Sequence, residues 1–273
     1  MRVLVTGGSM GIGRAIARQL ADHGSQITVV ARGQEAIDEA VASLPGDGHI
    51  GIAFDVSDPA AWASAVSGIS DLGGLVCAAG VIEPIGRIGG YDPAEFMRTV
   101  EINLYGTFLG VHACLPLLRQ SRGAVVTFSG GGATSPLPRF DAYAASKAAV
   151  VRLTENLARD LAEDGVRLNS VAPGFVVTRM QDATLSAGPE VAGADYYEKT
   201  QKQVAEGGAP ARRAAELTAF LLSGEAEGIT GKLISAPWDP WEDEAFRARL
   251  RDEPDLATLR RIDEQFFRSA GDA

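Results

Sequence analysis

The chain has 273 residues, of which 46% are hydrophobic and 22% are charged, and its formal net charge at pH 7 is -10. This length and composition are typical of one large globular α/β domain and exclude a disordered or fibrous chain. The negative charge argues against a nucleic-acid partner, because binding to phosphates requires a basic surface. Small molecules, including cationic ones, are therefore the expected ligands.

The sequence contains two cysteines, Cys77 and Cys114. They are too few for a disulfide framework, and neither has a histidine or cysteine at metal-ligand spacing, so we predict buried thiols and no metal site. The chain starts directly with a strand pattern instead of a signal peptide, and it has no apolar run of about 18 residues that would span a membrane. These features predict a cytoplasmic protein with no membrane partner.

Short apolar runs rich in β-branched residues alternate with longer helical patterns along most of the chain. The predicted strands are residues 2–5, 26–31, 50–54, 74–78, 124–129, 166–171 and 232–236. The predicted helices are residues 13–23, 59–67, 93–120, 141–163 and 211–223. Continuous apolar strands are typical of a parallel sheet that is buried on both faces, so the alternation predicts a doubly wound α/β fold. In such a sheet, ligands bind outside the carboxyl ends of the strands.

The segment 179–208 interrupts this alternation after the sixth predicted strand. It contains no clear strand and carries two adjacent tyrosines, Tyr196 and Tyr197. A long segment that follows the end of a strand often forms a mobile lid over a ligand, and an ordinary surface excursion is the alternative.

The segment 237–273 follows the last predicted strand and is rich in tryptophan, acidic residues and arginine. Apolar residues at helical spacing occur at Leu256, Leu259, Ile262 and Phe266. We therefore predict a helical C-terminal extension that packs on a single domain formed by residues 1–236.

A glycine-rich loop, VTGGSMGIG at residues 5–13, joins the first predicted strand to the first predicted helix. Gly7, Gly11 and Gly13 lie where the backbone turns sharply, approaches a pyrophosphate closely and lets the helix pack tightly. The N–H groups and the positive dipole end of the helix would then face the phosphates. The loop predicts a dinucleotide site at the start of the chain.

Tyr143 and Lys147 are four residues apart in the predicted helix 141–163, and therefore lie on one face of it. A phenol beside an ammonium is a plausible acid–base pair, because the cation favours the phenolate and lowers the pKa of the tyrosine. The pair predicts proton transfer to or from a substrate oxygen.

In these features the chain resembles a classical short-chain dehydrogenase/reductase over about residues 1–236. The motifs that carry the resemblance are Thr6-Gly7-xxx-Gly11-Ile12-Gly13, Asp55-Val56, Cys77-Ala78-Ala79-Gly80, Asn103, Tyr143-xxx-Lys147 and Pro173-Gly174-xxx-Thr178. The resemblance implies a Rossmann-type seven-stranded parallel sheet with helices on both faces. It also implies a nicotinamide cofactor, hydride transfer to or from a carbonyl or alcohol carbon, and a homo-oligomer, either a dimer or a tetramer.

The resemblance further implies roles for single residues. Tyr143 donates a proton to the carbonyl oxygen during reduction, and Lys147 lowers the pKa of that tyrosine and holds the nicotinamide ribose. Asn103 anchors a water that links Lys147 to solvent, and Asp55 accepts a hydrogen bond from the adenine amino group. The implied cofactor-binding residues are Gly7, Ser9, Met10, Gly11, Ile12, Gly13, Arg32, Asp55, Val56, Ala79, Gly80, Asn103, Tyr143, Lys147, Pro173, Gly174, Val176 and Thr178.

The end of the second predicted strand favours NADP(H) over NAD(H). A carboxylate at this place holds a free 2′-hydroxyl, whereas a 2′-phosphate repels a carboxylate and attracts arginine. Ala31 stands where NAD-preferring relatives usually carry Asp, and Arg32 follows it. Met10 argues for the other cofactor, because many NADP-preferring relatives have a basic residue in the glycine loop. NAD(H) therefore stays an alternative.

The catalytic serine departs from the family pattern. It most often lies thirteen residues before the tyrosine, a position that Gly130 holds in this chain, so that Ser129 is one residue early. Successive strand side chains point to opposite faces, so a regular strand directs Ser129 away from the substrate. We favour an early end of the strand or a bulge at residues 130–132, either of which turns Ser129 inward. Alternatively, Thr134 or Ser135 supplies the hydroxyl, or the substrate or a backbone N–H provides the hydrogen bond.

Trp238 and Trp241 flank Asp239 after the last predicted strand, and Glu242 follows. Flat aromatic faces beside carboxylates suit a sugar or a cationic amino sugar, and packing of the tryptophans on the core is the alternative. The sequence thus predicts an NADP(H)-dependent oxidoreductase that interconverts a ketone and a secondary alcohol on a polar small molecule. A non-catalytic dinucleotide sensor and an epimerase or dehydratase that retains its cofactor are the alternative functions.

Overall fold

Seven parallel strands form the central sheet of the protein, whose computed structural model describes residues 1–261. The strands are β1 (Arg2–Thr6), β2 (Gln26–Ala31), β3 (Ile50–Ala53), β4 (Gly74–Cys77), β5 (Ala124–Phe128), β6 (Arg167–Ala172) and β7 (Leu233–Ser235). Their order across the sheet is β3-β2-β1-β4-β5-β6-β7. The order reverses between β1 and β4, and this reversal opens a crevice at the carboxyl ends of the strands.

Helices cover both faces of the sheet, which confirms the predicted doubly wound fold. They are α1 (Gly11–Asp22), α2 (Gln34–Ala42), α3 (Pro59–Ser67), α4 (Pro93–Val100), α5 (Gly106–Ser121), α6 (Asp141–Asp160), α7 (Arg179–Ala192), α8 (Ala194–Ala205), α9 (Ala211–Leu222) and α10 (Glu244–Asp252). Alternate residues of β1 enter different cores. Val3 and Val5 pack with α1 and α9 on one face, and Leu4 packs with α3 and α5 on the other.

The observed helices differ from the prediction at two places in the first half of the chain. Helix α2 has no counterpart in the prediction, because only Ile37 and Ala40 of its nine residues are buried. The predicted helix 93–120 is divided into α4 and α5 by a π-helical turn, Glu101–Tyr105. The turn advances the chain by about one residue relative to an α-helix, and such turns are often found at functional sites.

The segment 179–208 contains two helices, α7 and α8, instead of an irregular excursion. Gly188 and Gly193 have φ angles of 77° and 90°, and these left-handed residues bend the segment at two points. Glycine adopts such angles without strain. The motion of a lid stays a prediction.

The C-terminal extension is helical at a different place from the one predicted. The helix α10 precedes the predicted apolar pattern, and after it Pro254 and a left-handed Ala257 (φ 54°) keep the chain in turns. Leu256 and Ala257 pack against the main core, and Leu233 of β7 donates to the Ala257 carbonyl oxygen (2.7 Å). Ile262 and Phe266 lie outside the described residues.

Both cysteines are buried free thiols, as predicted. Among residues 1–261, no group of three or more His, Cys, Asp and Glu side chains is arranged to hold a metal ion. None of the helices in the same range is long and apolar enough to cross a membrane.

Candidate active site

The glycine-rich loop lies at the carboxyl end of β1 and leaves no room for larger side chains. Gly7 has a φ angle of 67°, and a Cβ atom on it would lie 2.9 Å from the backbone nitrogen of Ala79. A Cβ atom on Gly13 would overlap the carbonyl oxygen of Gly7. Thr6 connects the loop to the segment that follows β4, because its hydroxyl accepts a hydrogen bond from Ala79 N–H (3.2 Å). Only glycine therefore fits at these positions.

The N-terminus of α1 offers unpaired N–H groups to an anion. Met10 is the N-cap residue, and its exposed side chain makes no capping hydrogen bond. Gly11 (φ 54°) follows it, next to the methyl group of Thr178. Ser9 is buried and Ile12 is half-buried beside this turn. The uncapped helix end and the glycine backbone fit the pyrophosphate of a dinucleotide.

Asp55 follows β3 and is already engaged by its neighbours. Its carboxylate accepts from the backbone and hydroxyl of Ser57 (3.0 and 2.7 Å) and forms an ion pair with Arg98 of α4. Although partial burial acts in the opposite direction, these hydrogen bonds and the Arg98 charge hold the pKa of Asp55 below its ordinary value. Val56 is buried, and its carbonyl oxygen accepts from the indole of Trp62 (2.8 Å). The predicted adenine contact of Asp55 stays a prediction.

Ala31 ends β2, and Arg32 directly after it is exposed. The end of β2 thus offers a guanidinium, and no carboxylate, to the 2′-hydroxyl or 2′-phosphate of an adenosine ribose.

Tyr143 and Lys147 are buried side by side on α6. The Lys147 ammonium donates to the carbonyl oxygen of Phe128 at the end of β5 (3.0 Å) and lies 5.9 Å from the centre of the Tyr143 ring. Burial lowers the pKa of Lys147 to about 8. Burial also raises the pKa of Tyr143 above its ordinary value, with a smaller effect from Tyr196. In this structure the ammonium binds a carbonyl oxygen instead of the phenol, and the lowering of the Tyr143 pKa by Lys147 stays a prediction.

Asn103 lies in the π-helical turn and is completely buried. Its amide accepts from Val81 N–H (2.9 Å) and donates to the Val81 carbonyl oxygen (2.9 Å) and the Ser146 hydroxyl (3.0 Å). Ser146 in turn donates to the carbonyl oxygen of Tyr143 (2.8 Å). A Cβ atom on Gly80 would lie 3.1 Å from the Asn103 side-chain oxygen. Asn103 therefore fixes the loop after β4 to the helix that carries Tyr143.

Gly130, and not Ser129, faces the phenol of Tyr143. The backbone N–H of Ser129 donates to the Val171 carbonyl oxygen (2.9 Å), which continues the regular pairing of β5 with β6. The strand β5 ends at Phe128, one residue earlier than predicted, as the alternative of an early strand end requires, and the catalytic role of Ser129 stays a prediction. A Cβ atom on Gly130 would overlap the Tyr143 hydroxyl and lie 2.7 Å from its Cζ.

The segment after β6 closes another side of the crevice. Pro173 precedes Gly174, which has a φ angle of 78°, and a Cβ atom on Gly174 would lie 2.9 Å from Pro237 Cγ and 3.3 Å from Ala209 Cβ. Val176 is buried behind this turn. A larger residue at position 174 would therefore push the turn away from the sheet.

Thr178 begins α7. Its hydroxyl accepts from Met180 N–H (3.4 Å) and donates to the Gln181 side-chain oxygen (2.9 Å), in a capping box. Its methyl group contacts the glycine loop, as described above, so the residue links α7 to the dinucleotide crevice. The predicted contact of Thr178 with the cofactor stays a prediction.

The tryptophans and acidic residues after β7 do not form one pocket. Trp241 is buried in the main core with Arg213 stacked 5.0 Å from its ring, whereas 78% of Trp238 is exposed. Glu242 accepts from Arg213 (2.7 Å), and Asp239 accepts from a backbone N–H at the end of β7 (2.7 Å). Both carboxylates are therefore paired within the protein, and of the two tryptophans only Trp238 faces solvent.

Sequence reasoning missed several residues that contact this site. Ile82, Phe140 and Tyr143 form a small apolar cluster, and Tyr196 packs against it from α8. Arg98 pairs with Asp55, as described above. Tyr196 belongs to the segment predicted as a lid, which was the only signal in the sequence that it could reach the site. No local pattern marked Arg98, because its partner is 43 residues away in the chain.

Comparisons with known proteins agree with this geometry. Residues 1–188 match the family model described as short chain dehydrogenase. The chain is 33% identical over 240 residues to dehydrogenase/reductase SDR family member 4 from Bos taurus, which covers 85% of this chain and 84% of that protein.

Solved structures give the same result. The crystal structure of levodione reductase has a TM-score of 0.78 and 29% identity, covering 89% of this chain and 98% of the other. An actinorhodin polyketide ketoreductase with NADPH has a TM-score of 0.76 and 26% identity, covering 86% and 94%. The chain belongs to the short-chain dehydrogenase/reductase family, whose members are oxidoreductases acting on alcohols and ketones.

Proposed function

We propose that this short-chain dehydrogenase is an NADP(H)-dependent enzyme that interconverts a ketone and a secondary alcohol on a small molecule. The observation that carries the proposal is the juxtaposition of the Tyr143–Lys147 pair with the glycine-lined crevice at the carboxyl ends of β1 and β4. A group that carries hydride and a group that carries a proton can thus reach one carbonyl from two sides.

A bound nicotinamide cofactor supplies or accepts the hydride, that is, two electrons and one proton, at the substrate carbon. Tyr143 is held protonated by burial and donates its phenolic proton to the carbonyl oxygen as the C–H bond forms. The products are the alcohol and a phenolate. Lys147, with its pKa lowered to about 8, can return a proton to the phenolate and regain it from solvent. Oxidation runs through the same steps in reverse.

Preference for NADP(H) is supported by Arg32 at the end of β2. An exposed guanidinium can bind a phosphate in two parallel hydrogen bonds, and Ala31 brings no carboxylate that would repel it. Charge-assisted hydrogen bonds of this kind contribute about 1.5–3 kcal/mol. NAD(H) is the alternative cofactor.

The experiment that tests cofactor preference is a fluorescence titration with NADPH and NADH that follows energy transfer from tryptophan. We expect tighter binding of NADPH, and a loss of about tenfold or more in NADPH affinity for Arg32→Ala with NADH affinity unchanged. Arg18→Ala, on the exposed side of α1, is the control and should change neither affinity. Tighter NADH binding would overturn the role of Arg32 and leave the oxidoreductase in place.

Turnover is tested on a panel of ketones and amino sugars, with Tyr143→Phe as the inactive reference. Binding of a dinucleotide without any turnover would favour the alternative of a non-catalytic sensor. Conversion of an alcohol substrate without net change in the cofactor would favour an epimerase or dehydratase.

The nature of the substrate follows from the walls around Tyr143. Apolar residues that pack with Tyr143 in one cluster include Ile82, Ile85, Leu137 and Met180. Such a cluster supports a ketone that carries an apolar substituent. The sugar or amino-sugar hypothesis now depends on Trp238, and charge reversal at Asp239 and Glu242 without loss of substrate affinity would remove its acidic part.

A homo-oligomer and a cytoplasmic location stay predictions. The oligomer is supported by an exposed aromatic row on the π-helical turn and α5, in which Tyr105, Phe108 and His112 stack in sequence. Such rows are common at interfaces. Sedimentation equilibrium of the wild-type protein measures the oligomeric state directly.

A further inference from the structure

The site lacks a second hydrogen-bond donor at the place where the family has its serine. Gly130 has no side chain, and the Tyr143 hydroxyl occupies the space that a Cβ atom there would take. A carbonyl oxygen that becomes an alkoxide has two or more lone pairs, and loss of one donor lowers kcat of an enzyme by about 100- to 1,000-fold. Another group in the wall is therefore expected to supply the second hydrogen bond.

The hydroxyls near Gly130 in sequence are poorly placed for this role. Ser129 follows the end of β5, and the Tyr143 hydroxyl lies at the position of a side chain on the next residue, Gly130. Thr134 and Ser135 are exposed, whereas the phenol of Tyr143 is buried. Another element can supply the donor instead.

Tyr196 of α8 is the hydroxyl-bearing residue that packs against the cluster around Tyr143. Its ring lies 4.7 Å from the ring of Phe140, the residue that directly precedes α6. Among residues 1–261, no hydrogen bond engages the Tyr196 hydroxyl, although the ring is partly buried. The phenol is thus held at the site by its ring and has its donor group available.

Arg139 holds Tyr196 in this position. Its guanidinium donates to the carbonyl oxygens of Glu190 (2.6 Å) and Val191 (3.1 Å) at the end of α7. Because Arg139 directly precedes Phe140, these hydrogen bonds connect the corner between α7 and α8 to the segment that leads into α6. A Cβ atom on Gly193, at that corner, would lie 3.4 Å from the Arg139 side chain. The first turn of α8, and Tyr196 with it, is therefore fixed against the catalytic helix.

We propose that Tyr196 is a second catalytic residue, whose phenol donates a hydrogen bond to the reacting oxygen beside that of Tyr143. The proposal rests on the proposed ketone–alcohol interconversion. Tyr143 transfers its proton to the oxygen, while Tyr196 keeps its own proton and stabilises the developing negative charge. Burial raises the pKa of Tyr196, so its phenol stays protonated at neutral pH, and the two phenols are close enough for Tyr196 to raise the pKa of Tyr143.

The test compares Tyr196→Phe with Tyr197→Phe in the reduction of acetophenone and ethyl pyruvate by NADPH. Tyr197 is the neighbouring residue, and its hydroxyl accepts from Gln201 (3.4 Å) on the exposed side of α8, so it is a matched control. We expect Tyr196→Phe to lower kcat for ketone reduction about 100-fold. The KM and Kd for NADPH and the midpoint temperature of thermal unfolding should be unchanged. Tyr197→Phe should remain within about twofold of wild type. A kcat for Tyr196→Phe within twofold of wild type would overturn the proposal.

A second measurement reports on the hydrogen bond without turnover. The protein has five tyrosines, so their Cζ signals can be assigned in an isotope-labelled sample by substitution with Phe. With NADP+ and acetophenone bound, the signals of Tyr143 and Tyr196 should both move, and that of Tyr197 should not. Movement of Tyr143 alone would refute the role of Tyr196. A wild-type protein that binds NADPH and reduces no ketone would instead refute the proposed function.

Discussion

At the scale of single residues, the most unusual feature is the contact between Tyr143 and the backbone of Gly130. A side chain at position 130 would overlap the phenol, so Gly130→Ala should displace the Tyr143 hydroxyl from its place. A misplacement of about 1 Å can cost about 100-fold in rate. We expect kcat for ketone reduction to fall by tenfold to about 100-fold, as measured by steady-state oxidation of NADPH.

Gly131→Ala is the matched control for this substitution. A Cβ atom on Gly131 would lie 3.6 Å from Leu137, which is an ordinary van der Waals distance, so kcat should be unchanged. A Gly130→Ser variant faster than wild type would contradict this expectation. It would show that the Tyr143 phenol can move to admit a side chain at position 130, and that the close approach of Tyr143 to Gly130 is not needed for catalysis.

The buried ammonium of Lys147 makes the stability of the protein depend on pH. Its pKa is about 8 in the folded protein and 10.5 for an ordinary lysine. Between these values the unfolded chain binds a proton that the folded protein does not bind, so the contribution of Lys147 to the free energy of unfolding rises with pH. The slope is at most about 1.4 kcal/mol per pH unit.

The measurement is urea denaturation of wild type and Lys147→Met at several pH values from neutral to about 9.5. We expect the difference in unfolding free energy to be constant below about pH 8 and to shift in favour of wild type above it. Cys77, Cys114 and Tyr143 have raised pKa values and act in the opposite direction, but they are present in both proteins and cancel in the difference. A constant difference throughout the range would show that the Lys147 pKa is not lowered.

At the scale of elements, the strands and the principal helices follow from their hydrophobic patterns, because the central strands β1, β4 and β5 are almost completely buried and the long helices are buried on one face. The spacing of Tyr143 and Lys147 is a property of the helix itself, and the sequence therefore predicts that they meet. The π-helical turn at Glu101–Tyr105 leaves no such local sign. Its cause is tertiary, since Asn103 reaches the backbone of Val81, 22 residues away.

The segment 179–208 illustrates a different limit of sequence reasoning. Glycine and proline inside it suggest loops, but Gly188 and Gly193 only bend the chain between helical stretches. The packing of Tyr196 on Phe140 depends on the position of α8 relative to α6. Arg139 contributes to that position by donating to the backbone carbonyl oxygen of Glu190, and a hydrogen bond to a backbone atom leaves no pattern in the sequence. The glycine loop is predictable for the opposite reason, because the sharp turn that requires glycine lies within one strand–turn–helix unit.

The two tryptophans after β7 should behave differently on substitution. Trp241 is buried, and its indole donates to the Ala236 carbonyl oxygen (3.1 Å), so Trp241→Ala should lower the free energy of unfolding by about 3–5 kcal/mol. Trp238→Ala removes a side chain that is 78% exposed and should change stability by less than about 0.5 kcal/mol. Urea denaturation measures both values.

The same pair of variants separates packing from binding. If Trp238 contacts the substrate, Trp238→Ala should raise the substrate KM while leaving NADPH affinity unchanged. An unaltered KM for every substrate that the enzyme turns over would leave Trp238 without a role in the site and would end the sugar hypothesis.

At the scale of the whole molecule, the C-terminal extension joins the edge of the sheet to the catalytic helix. Trp241 and Leu250 enter the main core, and the buried ammonium of Lys232 donates to three carbonyl oxygens of residues 253, 254 and 256 (2.6–3.2 Å). Arg260 then reaches Glu155 of α6 (2.7 Å). Residues 237–260 are therefore attached to the main core and to the helix that carries Tyr143 and Lys147.

Glu155 is the central charge of this attachment. Only 7% of its side chain is exposed, and it accepts hydrogen bonds from Arg152, Arg159 and Arg260. Although burial acts in the opposite direction, these hydrogen bonds and charges hold its pKa below the ordinary value of 4.5. Its stabilising contribution is therefore complete above about pH 5 and is lost as the pH falls through the lowered pKa.

We expect Glu155→Gln to lower the free energy of unfolding at pH 7 by about 2 kcal/mol, because three guanidinium groups lose their shared anion. The difference from wild type should shrink as the pH falls below 4.5. Asp255→Asn is the control, since Asp255 also pairs with Arg260 but has 68% of its side chain exposed and should matter by less than about 1 kcal/mol. Equal effects of the two substitutions would show that the buried position of Glu155 contributes nothing, and that the extension is held by Trp241, Leu250 and Lys232 alone.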